Sequence, residues 1–362
     1  MIKEKNGFSK PFIFVSSKNF PKISIGPGFY KDYENAKKQD PKKWIKYKDE
    51  KEIDNYRKNQ QFSFKMLNKK DAIKNTKEIT ELKLLTQAKN VAEIEMQMQS
   101  KKKLIIEKEI GISNIAYDFE KFKIINNIKI SNHIEKITSQ GDIKASEAIK
   151  YLFKKKEDVY KIQQILSSGS LGINNQKIFV PTKFAITAVD DILSKNILEK
   201  TINYNPINEY RLYKFDFYKN KFYIIFMPFK WNFEMMEGTE DIINNDYELN
   251  FAKKEYANNV TGAYYATRLE INKYLEKEKR TASVLVIRDI EKGYESKGVW
   301  VIRESIKCAL LEKPEFFKNI EELKTYLDQI YKIRNKSNFW FEKSNILKNA
   351  LFQKRISNYF NK

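Results

Sequence analysis

Tyr210-Arg-Leu-Tyr-Lys-Phe-Asp-Phe-Tyr-Lys-Asn-Lys-Phe-Tyr-Ile-Ile-Phe-Met227 decides the fold class. Two strand-like runs, 209–217 and 221–228, stand on either side of a turn at Lys219-Asn220. Aromatic and β-branched residues suit a pleated, half-buried surface, so two such runs around a short polar break predict a β-hairpin. Further strand-like runs occupy 176–180 and 283–288, and helical spacing recurs at about 188–199, 261–278 and 301–311. The mixture predicts an α/β (mixed α+β) body over residues 131–312, a central mixed sheet with surrounding helices.

Outward from this body, residues 1–130 read as an N-terminal α+β region. β-like runs at 12–15 and 22–25 flank a turn, and Gly26-Pro27-Gly28 ends the second sharply. Residues 32–60, with Pro41 and Trp44, read as an irregular segment followed by a helix. Ile79, Leu82, Leu85 and Ala88 predict helix over about 70–100, while 101–130 alternates lysine with isoleucine and fits strand or extended loop equally. Residues 142–167 read as helical, with Asp142 and Ser146 as capping candidates, up to a break at Gly169 and Gly172. Past the body, 313–345 is a charged helical region and 346–362 a short tail. No internal repeat is visible.

A hydrophobic content of 41% supports a sizeable core, and 14% aromatic residues exclude a broadly disordered chain. The formal net charge of +21 points to an anionic partner, nucleic acid first. A genome bias toward lysine, isoleucine and asparagine accounts for part of the same excess. One cysteine, Cys308, and one histidine, His133, exclude an internal disulfide and a Cys/His zinc site. Cys308 sits in a helix-like stretch as a small core residue. The start of the chain shows no secretory signal, and no stretch approaches a membrane span, so the expectation is a soluble intracellular (cytoplasmic, nucleoid-associated) protein. No phosphate-binding glycine loop, dinucleotide fingerprint or zinc-deaminase signature is present.

Three clusters could carry chemistry. In Pro181-Thr-Lys-Phe-Ala-Ile-Thr-Ala-Val-Asp-Asp-Ile-Leu-Ser-Lys195, Thr187 is the expected cap of the following helix, with Asp190 and Asp191 in its first turn. Alternatively Asp190 and Asp191 hold a divalent ion or act as a base. Neighbouring helical residues diverge by about 100°, so a further carboxylate such as Glu234, Glu270 or Glu304 would be needed. Tyr264 and Arg268, four apart on one helix face, could stack a base and hold a phosphate, or pack on each other. Arg288 and Arg303, beside apolar runs, suit a phosphate pocket or internal salt bridges.

In the tail, Gln353, Ile356, Tyr359 and Phe360 are spaced so that one helical turn gathers an apolar plug, with Gln353 fixing its approach. The spacing resembles the peptide by which replication and repair proteins dock on the sliding clamp PCNA. A helix end packing on its own domain gives the same pattern.

The chain as a whole resembles the archaeal Nre family, a group of predicted DNA-repair proteins. The likeness is carried by Leu166-Ser-Ser-Gly-Ser-Leu-Gly172, Val180-Pro-Thr-Lys-Phe-Ala-Ile-Thr-Ala-Val-Asp-Asp-Ile-Leu-Ser194 and Phe226-Met-Pro-Phe-Lys-Trp-Asn-Phe-Glu234. Gly262-Ala-Tyr-Tyr-Ala-Thr-Arg268, Gly298-Val-Trp-Val-Ile-Arg-Glu304 and an opening at Phe12–Val15 and Pro21–Pro27 extend it over nearly the whole chain. The resemblance implies a role in DNA repair and reinforces the clamp-binding tail. Many members carry a cysteine-rich zinc element near the N-terminus, which this chain lacks. The family's frequent Arg-Trp is Lys183-Phe184 here. The expectation is therefore a clamp-recruited repair factor that binds DNA through basic residues including Lys183, with PCNA and DNA as partners. Its alternatives are a non-catalytic repair adaptor, or a metal-dependent nuclease or nucleotide-processing enzyme. The enzyme would use Asp190, Asp191 and Glu304, with Mg2+, and Arg268, Arg288 or Arg303 on phosphate.

Overall fold

A computed structural model describes residues 3–47, 50–107, 112–239, 242–332 and 339–352. The fold is mixed α+β, as the sequence predicts. Two compact units divide the chain: Met1–Leu193 with Ser296–Trp300, and Ser194–Glu295 with Val301–Lys362. Among the described residues no helix is long and apolar enough to cross a membrane.

The first unit carries a six-stranded sheet. Its strands are β1 (Lys3–Ser9), β2 (Ile13–Val15), β3 (Lys22–Phe29), β4 (Gln61–Asn68), β5 (Ala92–Glu107) and β6 (Ile112–Ile124), in the order β1-β5-β6-β4-β3-β2. β4 and β6 are parallel and the other pairs antiparallel. Helices α1 (Tyr33–Lys38), α2 (Pro41–Trp44) and α3 (Glu50–Lys58) lie between β3 and β4 in the chain. Asp32 and Asp40 cap α1 and α2 by accepting from Asn35 N and Lys42 N. The helices α4 (Lys77–Gln87), α5 (Asn132–Ser139), α6 (Ala145–Lys154) and α7 (Val159–Ser167) follow, and then α8 (Thr182–Thr201), within which the unit boundary falls. The core sets Ile23, Ile25, Ile94, Met96, Phe119 and Phe122 of the sheet against Ile79, Leu82 and Leu85 of α4.

Several expectations shift here. Within the 70–100 stretch α-helix occupies 77–87, after a short 3-10 turn at Lys69–Ile73, and ends there because the buried residues change period at Ala92: Ala92, Ile94, Met96 and Met98 alternate, as a strand requires. Residues 176–180 are not a strand. Phe179 N and Val180 N donate instead to Lys69 O, at the start of a 3-10 turn, and to Ser167 O, at the end of α7, rather than to a neighbouring strand. Neither Asp142 nor Ser146 caps α6, whose N-cap residue is Lys144. Thr187 does not cap α8. The carbonyl of Pro181 receives the N–H groups of Phe184 and Ala185, so the helix starts at Thr182. Thr187 Oγ1 then lies within the helix and donates to Lys183 O at 3.1 Å.

The second unit carries a second six-stranded sheet, in the order β10-β9-β11-β8-β7-β12. The strands are β7 (Tyr210–Phe217), β8 (Asn220–Met227), β9 (Asn232–Gly238), β10 (Ile243–Leu249), β11 (Ser283–Ile290) and β12 (Glu315–Phe317). β9 and β11 are parallel. The predicted hairpin forms, but Tyr218 and Lys219 make its turn, both with positive φ (42° and 47°). Asn220 follows that turn and steadies it by donating to Phe217 O at 3.2 Å.

Period-two alternation on β8 feeds both faces of this sheet. Phe222, Ile224 and Phe226 join Tyr264, Ile271 and Leu275 of α9 (Gly262–Glu278) and Ile302 and Ile306 of α10 (Val299–Ala309). Tyr223, Ile225 and Met227 join Leu323 and Leu327 of α11 (Ile320–Lys332), Trp340 of α12 (Phe339–Lys343) and Leu347 of α13 (Asn345–Phe352). Helices therefore cover both faces, as the continuous burial of β8 demands.

Candidate functional site

The polar residues singled out by the sequence fall into separate clusters, and most face inward. In the second unit, Glu248 of β10 is 4% exposed and lies at the centre of the densest cluster. Its Oε2 accepts from Arg268 NH1 at 2.6 Å, Tyr264 OH at 2.9 Å and the Lys253 backbone N–H at 2.7 Å, and its Oε1 accepts from Trp231 Nε1 at 3.1 Å. Arg268 and Tyr264 are one turn apart on α9, so both reach the same carboxylate, and the guanidinium lies 5.5 Å from the Tyr264 ring. Arg268 Nε donates to Ser194 Oγ at 3.0 Å. Burial first, and Glu248 beside it second, push the Tyr264 phenol well above the usual tyrosine range, so it remains a donor.

Two neighbouring carboxylates are equally occupied. Asp246 accepts from Lys253 Nζ at 2.7 Å and from the N–H groups of Asn259 and Val260, each at 2.9 Å. Glu234 of β9 is wholly buried and accepts from Ser344 Oγ at 2.7 Å and from Asn345 N and Ile346 N, each at 3.1 Å. A strand carboxylate thus satisfies the first N–H groups of α13.

Arg288 of β11 donates to Asn220 Oδ1 at 2.9 Å and to Glu237 Oε2 at 2.8 Å. Arg303 of α10, 1% exposed, lies 3.5 Å from Glu270 Oε1. Glu304 accepts from Lys307 Nζ at 2.8 Å. Tyr264, Arg268, Arg288 and Arg303 are all buried, and the contacts described here are with residues of their own unit.

In the first unit, Asp190 is wholly buried and accepts from Gln163 Nε2 of α7 at 3.0 Å, while Asp191 is half-buried. Lys183 is also half-buried, with its ammonium 5.3 Å from the Phe184 ring. The Leu166–Gly172 stretch closes α7. Gly169 has φ +68°, and a Cβ there would stand 2.7 Å from Ala72 Cβ and 2.8 Å from Ile178 O, so glycine is required. Ser168 Oγ lies 2.8 Å from Ser170 Oγ and receives a bond from Thr86 Oγ1 at 3.0 Å. Val15 N donates to Thr182 Oγ1, and Ile13 N to Gln164 Oε1, fixing β2 beside α7 and α8.

The Gly298–Glu304 motif is divided between the units. Lys297 Nζ meets both Asp54 oxygens at 2.6 and 2.7 Å, and Lys297 O accepts from Arg57 NH1 and Trp300 Nε1, each at 2.7 Å. The Trp300 ring meets Trp44 edge-on, 5.1 Å between centroids. Nothing in the sequence pattern pointed to Asp54 or Arg57 as partners of a segment some 240 residues away. Among the described residues no group of three or more His, Cys, Asp or Glu side chains converges as metal ligands would. His133 is bonded to Glu157 at 2.6 Å, and Cys308 is half-buried on α10. Gln353, Ile356, Tyr359 and Phe360 lie outside the described residues.

The description "Archaeal Nre, N-terminal" matches residues 1–241 and "Archaeal Nre, C-terminal" matches residues 248–359. The chain belongs to the archaeal Nre family. It is 32% identical over 331 residues to the DNA repair protein NreA of Archaeoglobus fulgidus, covering 88% of this chain and 83% of that protein. The DNA repair protein NreB of the same organism is 34% identical over 230 residues, 59% of this chain and 56% of that protein. NreA of Haloferax volcanii is 34% identical over 199 residues, 51% and 47% of the two chains. No solved structure matches. The span between the two Nre regions coincides largely with β10, so β7, β8 and β9 of the second sheet of this Nre protein come from the first region and β11 and β12 from the second.

Proposed function

We propose that this Nre protein serves DNA repair as a clamp-recruited factor that binds DNA through its basic surface. The observation that carries the reading is the match along most of both chains to a DNA repair protein. The net charge of +21 supports DNA as the ligand, and the spacing of Gln353, Ile356, Tyr359 and Phe360 supports PCNA as the recruiting partner. With Tyr264, Arg268, Arg288 and Arg303 buried, phosphate contact falls to lysines on the surface. Docking through the tail raises the local concentration of the body on DNA without strong sequence preference.

The test is titration of the full chain, and of a chain ending at Phe352, against an archaeal sliding clamp. Binding lost on truncation supports recruitment by the tail; equal binding by both removes it. Separately, affinity for duplex DNA should fall steeply with salt. An affinity that is insensitive to salt removes the phosphate-binding part.

A further inference from the structure

Two exposed phenylalanines stand on segments of the first unit that hydrogen bonds tie together. The chain between β2 and β3 turns at Asn19, whose φ is 61°, and next carries Phe20, 47% exposed. That loop is held to the end of β4. Lys69 N donates to Pro21 O at 2.9 Å, and Lys22 lies in register with Asn68. The carbonyl of Lys69 in turn accepts from Phe179 N at 2.9 Å, and on the other side of the loop Val15 N donates to Thr182 Oγ1 at 2.9 Å. The segment that leads into α8 is thereby fixed to both arms of the β2–β3 loop. The first turn of α8 carries Phe184, 46% exposed.

Each ring has an ammonium beside it. Lys69 Nζ lies 4.5 Å from the centre of the Phe20 ring, and Lys183 Nζ 5.3 Å from that of Phe184. Lys18 and Lys22, on either side of Phe20 in the chain, are exposed. Asp71, a carboxylate close to this frame, is already taken. It accepts from Asn68 N at 2.8 Å and pairs with Lys74 at 2.8 Å. The surface therefore offers flat apolar faces with cations at their margins.

One exposed ring on a surface asks for no explanation. Two rings on one hydrogen-bonded frame, each with its own lysine, call for a ligand that is both aromatic and anionic. An apolar protein face would have to strip water from the lysines without replacing it. Duplex DNA has its bases stacked already, so it could use the lysines and not the rings. An unpaired strand uses both, its bases on the rings and its phosphates on the lysines. We propose that Phe20 and Phe184, with Lys18, Lys22, Lys69 and Lys183, form a stacking surface for the unpaired bases of single-stranded DNA. The inference rests on the DNA-binding reading above and names the form of DNA and the residues that take it.

The full chain is titrated by fluorescence anisotropy with a labelled oligothymidylate, and with a duplex of the same length, across a series of salt concentrations. F20A/F184A and K69Q/K183Q run beside it. The control is F251A/F316A, which removes two exposed rings of the second unit, 73% and 53% exposed. Thermal melting confirms that each variant folds. The expected result is tighter binding of the single strand than of the duplex. F20A/F184A should lose about tenfold or more in single-strand affinity with its salt slope unchanged, because the rings carry no charge. K69Q/K183Q should lose affinity with a slope shallower by about one, and the control should change little. Single-strand affinity that survives F20A/F184A, or falls equally in the control, overturns the stacking surface and leaves DNA binding standing. Preference of the unaltered chain for duplex overturns the single-strand assignment. No binding of either DNA by the unaltered chain overturns the DNA reading and this inference with it.

Discussion

β8 and β10 lie in one sheet and follow opposite rules. β8 is a central strand whose apolar side chains alternate between two cores, with Ile224 and Ile225 wholly buried on opposite faces. β10 is an edge strand that turns Asp246 and Glu248 inward, at 2% and 4% exposure, and leaves Tyr247 and Leu249 outside at 42% and 38%. For β8 the hydrophobic effect suffices, on the order of 1.5–3 kcal/mol for each large side chain removed from water. For β10 the cost of desolvating two carboxylates is offset only because Arg268, Lys253, Tyr264, Trp231 and three backbone N–H groups meet them. Burial on β8 therefore tolerates change of shape, whereas burial on β10 depends on complete pairing.

The contrast is broken most forcefully at Glu248. E248A removes the carboxylate from a buried guanidinium and is expected to cost about 3–5 kcal/mol in urea unfolding. The double change E248L/R268M should cost distinctly less than E248A alone; an equal or larger loss would show that the network matters beyond its charge balance. On β8, I224A should cost about 2–5 kcal/mol with the slope of the denaturation curve unchanged. E234A should cost about 1–3 kcal/mol, and hydrogen exchange should localise the change to α13.

A milder effect belongs to the first unit, where Lys161 Nζ donates to Thr86 O at 3.0 Å and to Ala88 O at the end of α4. Burial pushes this ammonium down to about 7 from 10.5. Between those values the unfolded chain holds more protons than the folded one, so the contribution of Lys161 makes stability rise with pH through the window and level off below it. K161M should flatten that rise, as read from melting temperature against pH. The smallest effect is expected of Y247A, within about 0.5 kcal/mol, since it removes an outward ring. A larger loss would show that the outer face of β10 is packed in solution.

The same contrast explains what could be read from the sequence. β7, β8 and β11 follow the rule that apolar residues face the core, and their runs were legible. So were the helices around 188–199, 261–278 and 301–311. β10, with Asn245, Asp246 and Glu248 at its centre, reads as a loop until the partners of its carboxylates are known. β5 hid behind a helical count that ends at Ala88, because one hydrophobic period gives way to another within a few residues. The cluster Tyr264–Arg268 was visible as a pair, but its inward orientation depends on Glu248, sixteen residues before Tyr264 in the chain and on another element. The start of α8 turned on Pro181 rather than on the hydroxyl of Thr187.

Glu234 has a consequence for the order in which the chain is made. Ser344, whose hydroxyl it binds, leaves the ribosome 110 residues later. Until then one face of the second sheet lacks α13 and holds a carboxylate without the N–H groups it caps. Synthesis must therefore pass Ser344 before that face can close, and a nascent chain stopped short of Ser344 should present a half-built sheet to the chaperones that meet it.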